Sequence, residues 1–130
     1  MVSFHAETPI YLQLMGEIKR QIAAGELPAG AKIASIRELA AHYAVNPNTV
    51  QRSLFELERE GLLSTKRASG KTVTEDTEMI RELREHLAAE RLEACLSALE
   101  ALGFGEAETA ARFAGALETW KTRKAREISG

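Results

Sequence analysis

The chain is short of the residues that most specialised chemistries need. It has a single cysteine, Cys95, so no disulfide can close within it and no paired-cysteine metal spacing exists. Its histidines, His5, His42 and His86, lie far apart, and no HExxH-type ligand run accompanies them. A metal site is therefore not expected. Neither a nucleophile, base and oxyanion set nor a phosphate-cradling glycine loop can be drawn, which argues against an enzyme and against a cofactor. Apolar stretches never approach membrane-spanning length, and the start MVSFHAETPIYLQ has neither the charged opening nor the apolar run of a signal peptide. A cytoplasmic protein is the expectation. Excess charge is missing too. With 17 basic and 19 acidic residues the formal net charge is -2, so any nucleic-acid contact has to come from a local patch.

What is present is helix punctuation. The stretch VNPNTVQRSL places Asn46 where an N-cap accepts a first-turn N–H, and Pro47 at the first helical position, where a missing N–H costs nothing. The helix it opens runs to Glu60 and stops at Gly61. On a helical wheel Val50, Leu54 and Leu57 cluster on one side, while Asn48, Arg52, Phe55 and Arg59 gather on the other. Taken alone, this pattern favours an ordinary capped helix with a polar face over one that reads DNA. Phe55 is expected to pack on another part of the chain.

The flanks favour the second reading. Thr8 and Pro9 repeat the cap-and-proline signal before Tyr11, Leu14, Met15, Ile18 and Ile22, a helical run closed by Gly25. After the turn-rich ELPAGAK, Ser35 and Glu38 form an S-x-x-E capping box that starts a short helix to about Tyr43. Only Ala44 and Val45 then precede Asn46, a gap that suits a helix-turn-helix. Beyond Gly61, LLSTK and KTVT read as two strands joined by RASG. Such a hairpin is either a plain surface feature or a wing whose Lys66, Arg67, Gly70 and Lys71 approach a groove or phosphate. Charge is placed accordingly. From Pro47 to Thr72 five bases stand against three acids, whereas from Thr77 onward eight bases stand against ten acids.

The run from PIYLQL through ELPAGAKIASIRELAAHYAVNPNTVQRSLFELEREGLLSTKRASGKTV resembles the winged-helix domain of the GntR family of bacterial transcription regulators, and most of all its small YtrA-type branch. The resemblance implies DNA contacts from Ser35 and Arg37, from Asn46, Asn48, Thr49, Gln51 and Arg52, and from Arg67, Ser69 and Gly70 in the wing, to which the basic charge of the hairpin adds Lys71. It also implies a homodimer. Four positions depart from the family pattern. Ala34 stands where proline is common before the serine, Pro47 and Gln51 stand where many members carry arginine, and Ala68 replaces the first wing glycine. The family's guanine-reading pattern therefore does not carry over.

From Thr77 the composition turns to Glu, Arg, Ala and Leu. Ile80, Leu83, Leu87, Leu92, Cys95, Leu96, Leu99 and Leu102 mark a long helix ended by Gly103. A second begins near Gly105, with Phe113, Leu117 and Trp120 on its apolar side, and frays into KTRKAR. Cys95 is read as a small buried apolar residue. Two helices cannot bury both of their apolar stripes alone. Either they fold back on the first domain or, the favoured reading, a second copy covers them through Leu83, Leu87, Leu92, Leu96, Leu99, Phe113, Leu117 and Trp120.

The expected fold is mostly α with a small β-wing: a winged helix-turn-helix domain over residues 1–74 and a two-helix dimerisation hairpin over 77–130. The expected function is a sequence-specific transcription regulator, a repressor on an inverted-repeat operator, with any small-molecule effector unknown. The alternative is a protein-interaction winged helix without sequence-specific DNA binding.

Overall fold

A computed structural model of the chain describes residues 2–68 and 70–129. The elements follow in the order α1 (Ile10–Ala23), α2 (Ile36–Tyr43), α3 (Pro47–Arg59), β1 (Leu63–Lys66), β2 (Gly70–Val73), α4 (Thr77–Ala101) and α5 (Glu106–Ser129). They fall into two compact units, Met1–Leu87 and Ala88–Gly130.

Helix starts follow the local chemistry in two cases and depart from it in one. Asn46 Oδ1 accepts the Asn48 N–H at 2.8 Å, with Pro47 in the first turn. Ser35 Oγ accepts the Glu38 N–H, and Glu38 Oε1 accepts the Ser35 N–H, both at 3.1 Å, which completes the capping box. At α1, however, Pro9 is itself the cap residue and no side chain caps the helix. Thr8 instead gives its carbonyl to Gln13 Nε2 at 2.7 Å, and Gln13 also bonds the backbone of His5 through both ends of its amide. The Pro9 carbonyl accepts the Leu12 and Gln13 N–H groups at 3.1 and 3.3 Å, so the first turn is closed by the backbone without a side-chain cap.

The core of the first unit is built where the periodicities placed it. Leu14, Ile18 and Ile22 of α1 meet Val50, Leu54 and Leu57 of α3, and Leu63 and Val73 of the hairpin close the third side. Each such side chain contributes about 1.5–3 kcal/mol by leaving water. Ser53, fully buried between the helices, donates from Oγ to the Tyr11 carbonyl at 2.8 Å and so fixes α3 against α1. β1 and β2 pair antiparallel, Leu63 opposite Val73 and Lys66 opposite Gly70. The segment read as a turn-rich connection does more than turn. Gly30 and Ile33 donate to Val73 and Lys71 of β2, Val73 donates back to Ala31, and Lys32 bridges Thr72, so β2 is hydrogen-bonded on both edges.

The first turns of α4 belong to this unit. Met79, Ile80 and Leu83 pack against its core, so Leu83, one of the residues assigned above to a subunit seam, is used within its own chain. In the second unit the α4 portion ends at Ala101 and α5 follows after a short turn. KTRKAR does not fray: α5 continues through it to Ser129, supported by Lys121–Glu118, Arg123–Glu127 and Lys124–Glu127 pairs at helical spacing. Cys95 is exposed and not the buried apolar residue expected. Leu87, Leu96, Leu99 and Phe113 are half-buried, whereas Leu92, Leu117 and Trp120 stand 49%, 40% and 50% exposed.

Candidate nucleic-acid interface

Three elements of the first unit carry the residues expected to meet DNA. The N-terminus of α2 brings Ser35 and Arg37, both exposed. The start of α3 brings Asn46, Asn48, Gln51 and Arg52, also exposed, and Thr49, which is half-buried. The wing brings Arg67 and Gly70, exposed, and Lys71, half-buried, while Ser69 lies outside the described residues. A groove of about 340 Å³ joins the first and third of these elements. Ser35, Ile36 and Glu38 line one side, Ala68, Gly70 and Lys71 the other, with Leu54 of α3 at its floor.

These side chains are not equivalent once their partners are counted. The Asn46 oxygen is spent on capping α3. Asn48 and Gln51 form no side-chain hydrogen bond among the described residues, so each amide keeps a donor and an acceptor for a base edge. Among the described residues Arg37 and Arg67 have no ion-pair partner. Gly70 sits at φ +76°, a left-handed conformation in which glycine carries no steric cost, and this lets the wing turn tightly beside the groove.

Two expectations change here. Lys71 is not a free wing cation: its Nζ donates to Glu58 Oε1 at 3.2 Å and to Thr65 Oγ1 at 3.1 Å, and Thr65 Oγ1 donates to Glu58 Oε2 at 2.5 Å. The Thr65 hydrogen bond, followed by that from Lys71, holds the Glu58 carboxyl below the usual carboxylate range against the opposing effect of burial. The triangle ties the wing to α3. Phe55 is the second change. It is 55% exposed on the same face as Asn48 and Arg52 and belongs to no core cluster, so the packing partner expected for it is not in this chain's described residues.

Sequence reasoning missed three participants. Tyr11 of α1 lies beneath the Arg52 guanidinium, whose central carbon is 3.7 Å from the ring centroid. Glu58 organises the wing, and Lys32 joins the sheet from a segment that carried only turn signals. Nothing in the one-dimensional pattern pointed to the first two, because Tyr11 depends on how α1 crosses α3 and Glu58 on how the hairpin packs against α3.

The profile of the family described as "Bacterial regulatory proteins, gntR family" matches residues 10–73, the span from α1 to β2. Among proteins similar to this chain is the uncharacterized HTH-type transcriptional regulator YhcF of Bacillus subtilis, 38% identical over 105 residues, which cover 81% of this chain and 87% of that protein. The HTH-type transcriptional repressor YtrA of the same organism is 41% identical over 71 residues, 55% of each chain. A solved GntR family transcriptional regulator from Listeria monocytogenes superposes with a TM-score of 0.76 at 36% identity, over 86% of this chain and 98% of that one.

Proposed function

The chain belongs to the GntR family of bacterial regulatory proteins and is a DNA-binding transcriptional regulator of its YtrA-like kind, and from that premise we propose that it is a repressor that binds an inverted-repeat operator as a homodimer. The observation that carries the DNA-reading part is the exposed face of α3, where the unspent amides of Asn48 and Gln51 stand beside Arg52 at a capped helix start. Asn and Gln match the donor and acceptor pair of adenine, and Arg matches the two acceptors of guanine. Arg37 and Arg67 supply the phosphate grip that sets register without reading sequence.

Dimerisation is supported by the second unit. A helix pair that leaves Leu92, Leu117 and Trp120 about half exposed has an apolar face to cover, and a second copy covers it symmetrically. Two-fold symmetry in the protein then calls for two-fold symmetry in the operator. Repression is the reading for this chain because one of the similar regulators is described as a repressor. No effector is assigned. As such a regulator the protein would act in the cytoplasm, and no described helix is long and apolar enough to cross a membrane.

The test is selection of bound sequences from a random duplex pool by the full chain, with its mass in solution measured by light scattering. An enriched inverted repeat bound by a dimer is the expected result. Enrichment of a single half-site, or none, would remove the dimeric reading or the sequence-specific one respectively.

A further inference from the structure

Two arginines share the exposed face of α3, and the chain holds them by different chemistry. Arg59 Nη1 lies 3.1 Å from both carboxylate oxygens of Glu56, which take up donors and cancel its charge. Arg52 lies over the Tyr11 ring at 3.7 Å, and among the described residues no carboxylate pairs with it. An aromatic face attracts a cation through its quadrupole and meets the guanidinium on its flat side. The N–H donors all lie in the guanidinium plane, so this support leaves them unspent and the charge intact.

Tyr11 is held in register for that task. Its carbonyl accepts the hydroxyl of buried Ser53, the neighbour of Arg52 in the chain, at 2.8 Å, and its ring packs half-buried against the core. The ring on α1 is therefore fixed to α3 one residue away from the side chain it supports.

We propose that Tyr11 is a positioning residue for DNA recognition: its ring presents the donor edge of Arg52 to a guanine, and the sequence preference at that base pair depends on it. The proposal rests on the reading of α3 given above. Without the ring, Arg52 keeps its charge but must be ordered at the moment of binding. Immobilising one such side chain corresponds to a loss of about three- to tenfold in operator affinity.

The experiment compares the full-length protein with Tyr11→Phe, Tyr11→Leu, Arg52→Ala and the Tyr11→Leu, Arg52→Ala double variant. Base preferences come from the selected duplex pool, affinities from titration of the operator, and the motion of the Arg52 Nε–H from nitrogen-15 relaxation in the free protein. Tyr11→Phe, which keeps the ring, should behave as the parent. Tyr11→Leu should bind about three- to tenfold more weakly, lose preference at the same base pair as Arg52→Ala, and show a more mobile Nε–H. Adding Arg52→Ala to it should cost no more than Arg52→Ala alone. If leucine at position 11 leaves the protein unfolded, Tyr11→Met fills the site without a ring. The proposal alone is overturned if Arg52→Ala changes the preference and Tyr11→Leu does not, or if Tyr11→Phe already loses it. If Arg52→Ala leaves the preference unchanged, the assignment of Arg52 as a base reader falls, and the proposal with it.

Discussion

Lys71 has its ammonium occupied by Glu58 and Thr65, and that changes what its removal should do. A lysine that grips phosphate takes about one unit of salt slope with it when it is lost. A lysine that anchors the wing weakens binding to every duplex while the slope stays nearly constant, and this is the outcome expected for Lys71→Ala in titrations at several salt concentrations. Glu58→Gln should produce an overlapping defect, so the double variant should be less than additive. The acid limb provides a second check. Because the Glu58 carboxyl is depressed in the folded protein, its contribution is present above the unfolded value, about 4.3, and disappears as pH falls through the folded one. Melting should show Glu58→Gln destabilised at pH 7, by about 1 kcal/mol or less for a partly exposed pair, with the difference vanishing in acid. Asn48 behaves otherwise, since its side chain is not engaged within the fold. Asn48→Ala should cost about 1–3 kcal/mol on the preferred operator, relax one position per half-site and spare a scrambled duplex. Equal loss on both duplexes would make the amide a solvating group instead of a reading one.

Between α2 and α3 the chain turns through Ala44 at φ 55°, the one left-handed non-glycine among the described residues. A Cβ in that region is strained, and glycine relieves the strain while adding entropy to the unfolded chain. Ala44→Gly should therefore raise stability by about 0.5–1 kcal/mol in thermal melts, and an unchanged or lower midpoint would show that this turn is not under strain. The turn also shows where the sequence speaks and where it is silent. The caps at Ser35 and Asn46, the stop at Gly61 and the apolar stripes of α1 and α3 are local chemistry, and all were legible. The support of Arg52 by Tyr11 and of Lys71 by Glu58 was not, because each pair is made by elements that meet only after packing. The bare cap of α1 was misread for a related reason: Pro9 looked like a first helical residue, yet its ψ of 135° places it outside the helix. KTRKAR looked like a fraying end because its charges were counted by sign, whereas the pairs three and four residues apart support the helix.

For the molecule as a whole the homodimer proposed above makes a test of parts possible. The first unit runs to Leu87, so a fragment ending there keeps Met79, Ile80 and Leu83 on its core and should fold. Light scattering should report a monomer for that fragment and a dimer for the full chain. A dimeric fragment would move the interface into the winged helix. Leu99→Glu in the full chain should weaken the dimer by placing an unpaired charge in its seam. The second edge of β2 has a consequence of another kind, in the order of assembly. Helix starts and the β1–β2 turn close over a few residues, but the bridge from Lys32 to Thr72 spans 40 positions and must wait for the chain between them to be arranged. The amide hydrogens of Ile33 and Val73, which this edge shelters, should then exchange with solvent deuterium only by unfolding of the whole unit, far more slowly than that of Gly70 at the wing tip. Since Ser35 follows that edge by two residues and the groove lies between it and the wing, the surface offered to DNA depends on long-range closure of the whole unit and not on its helix starts alone.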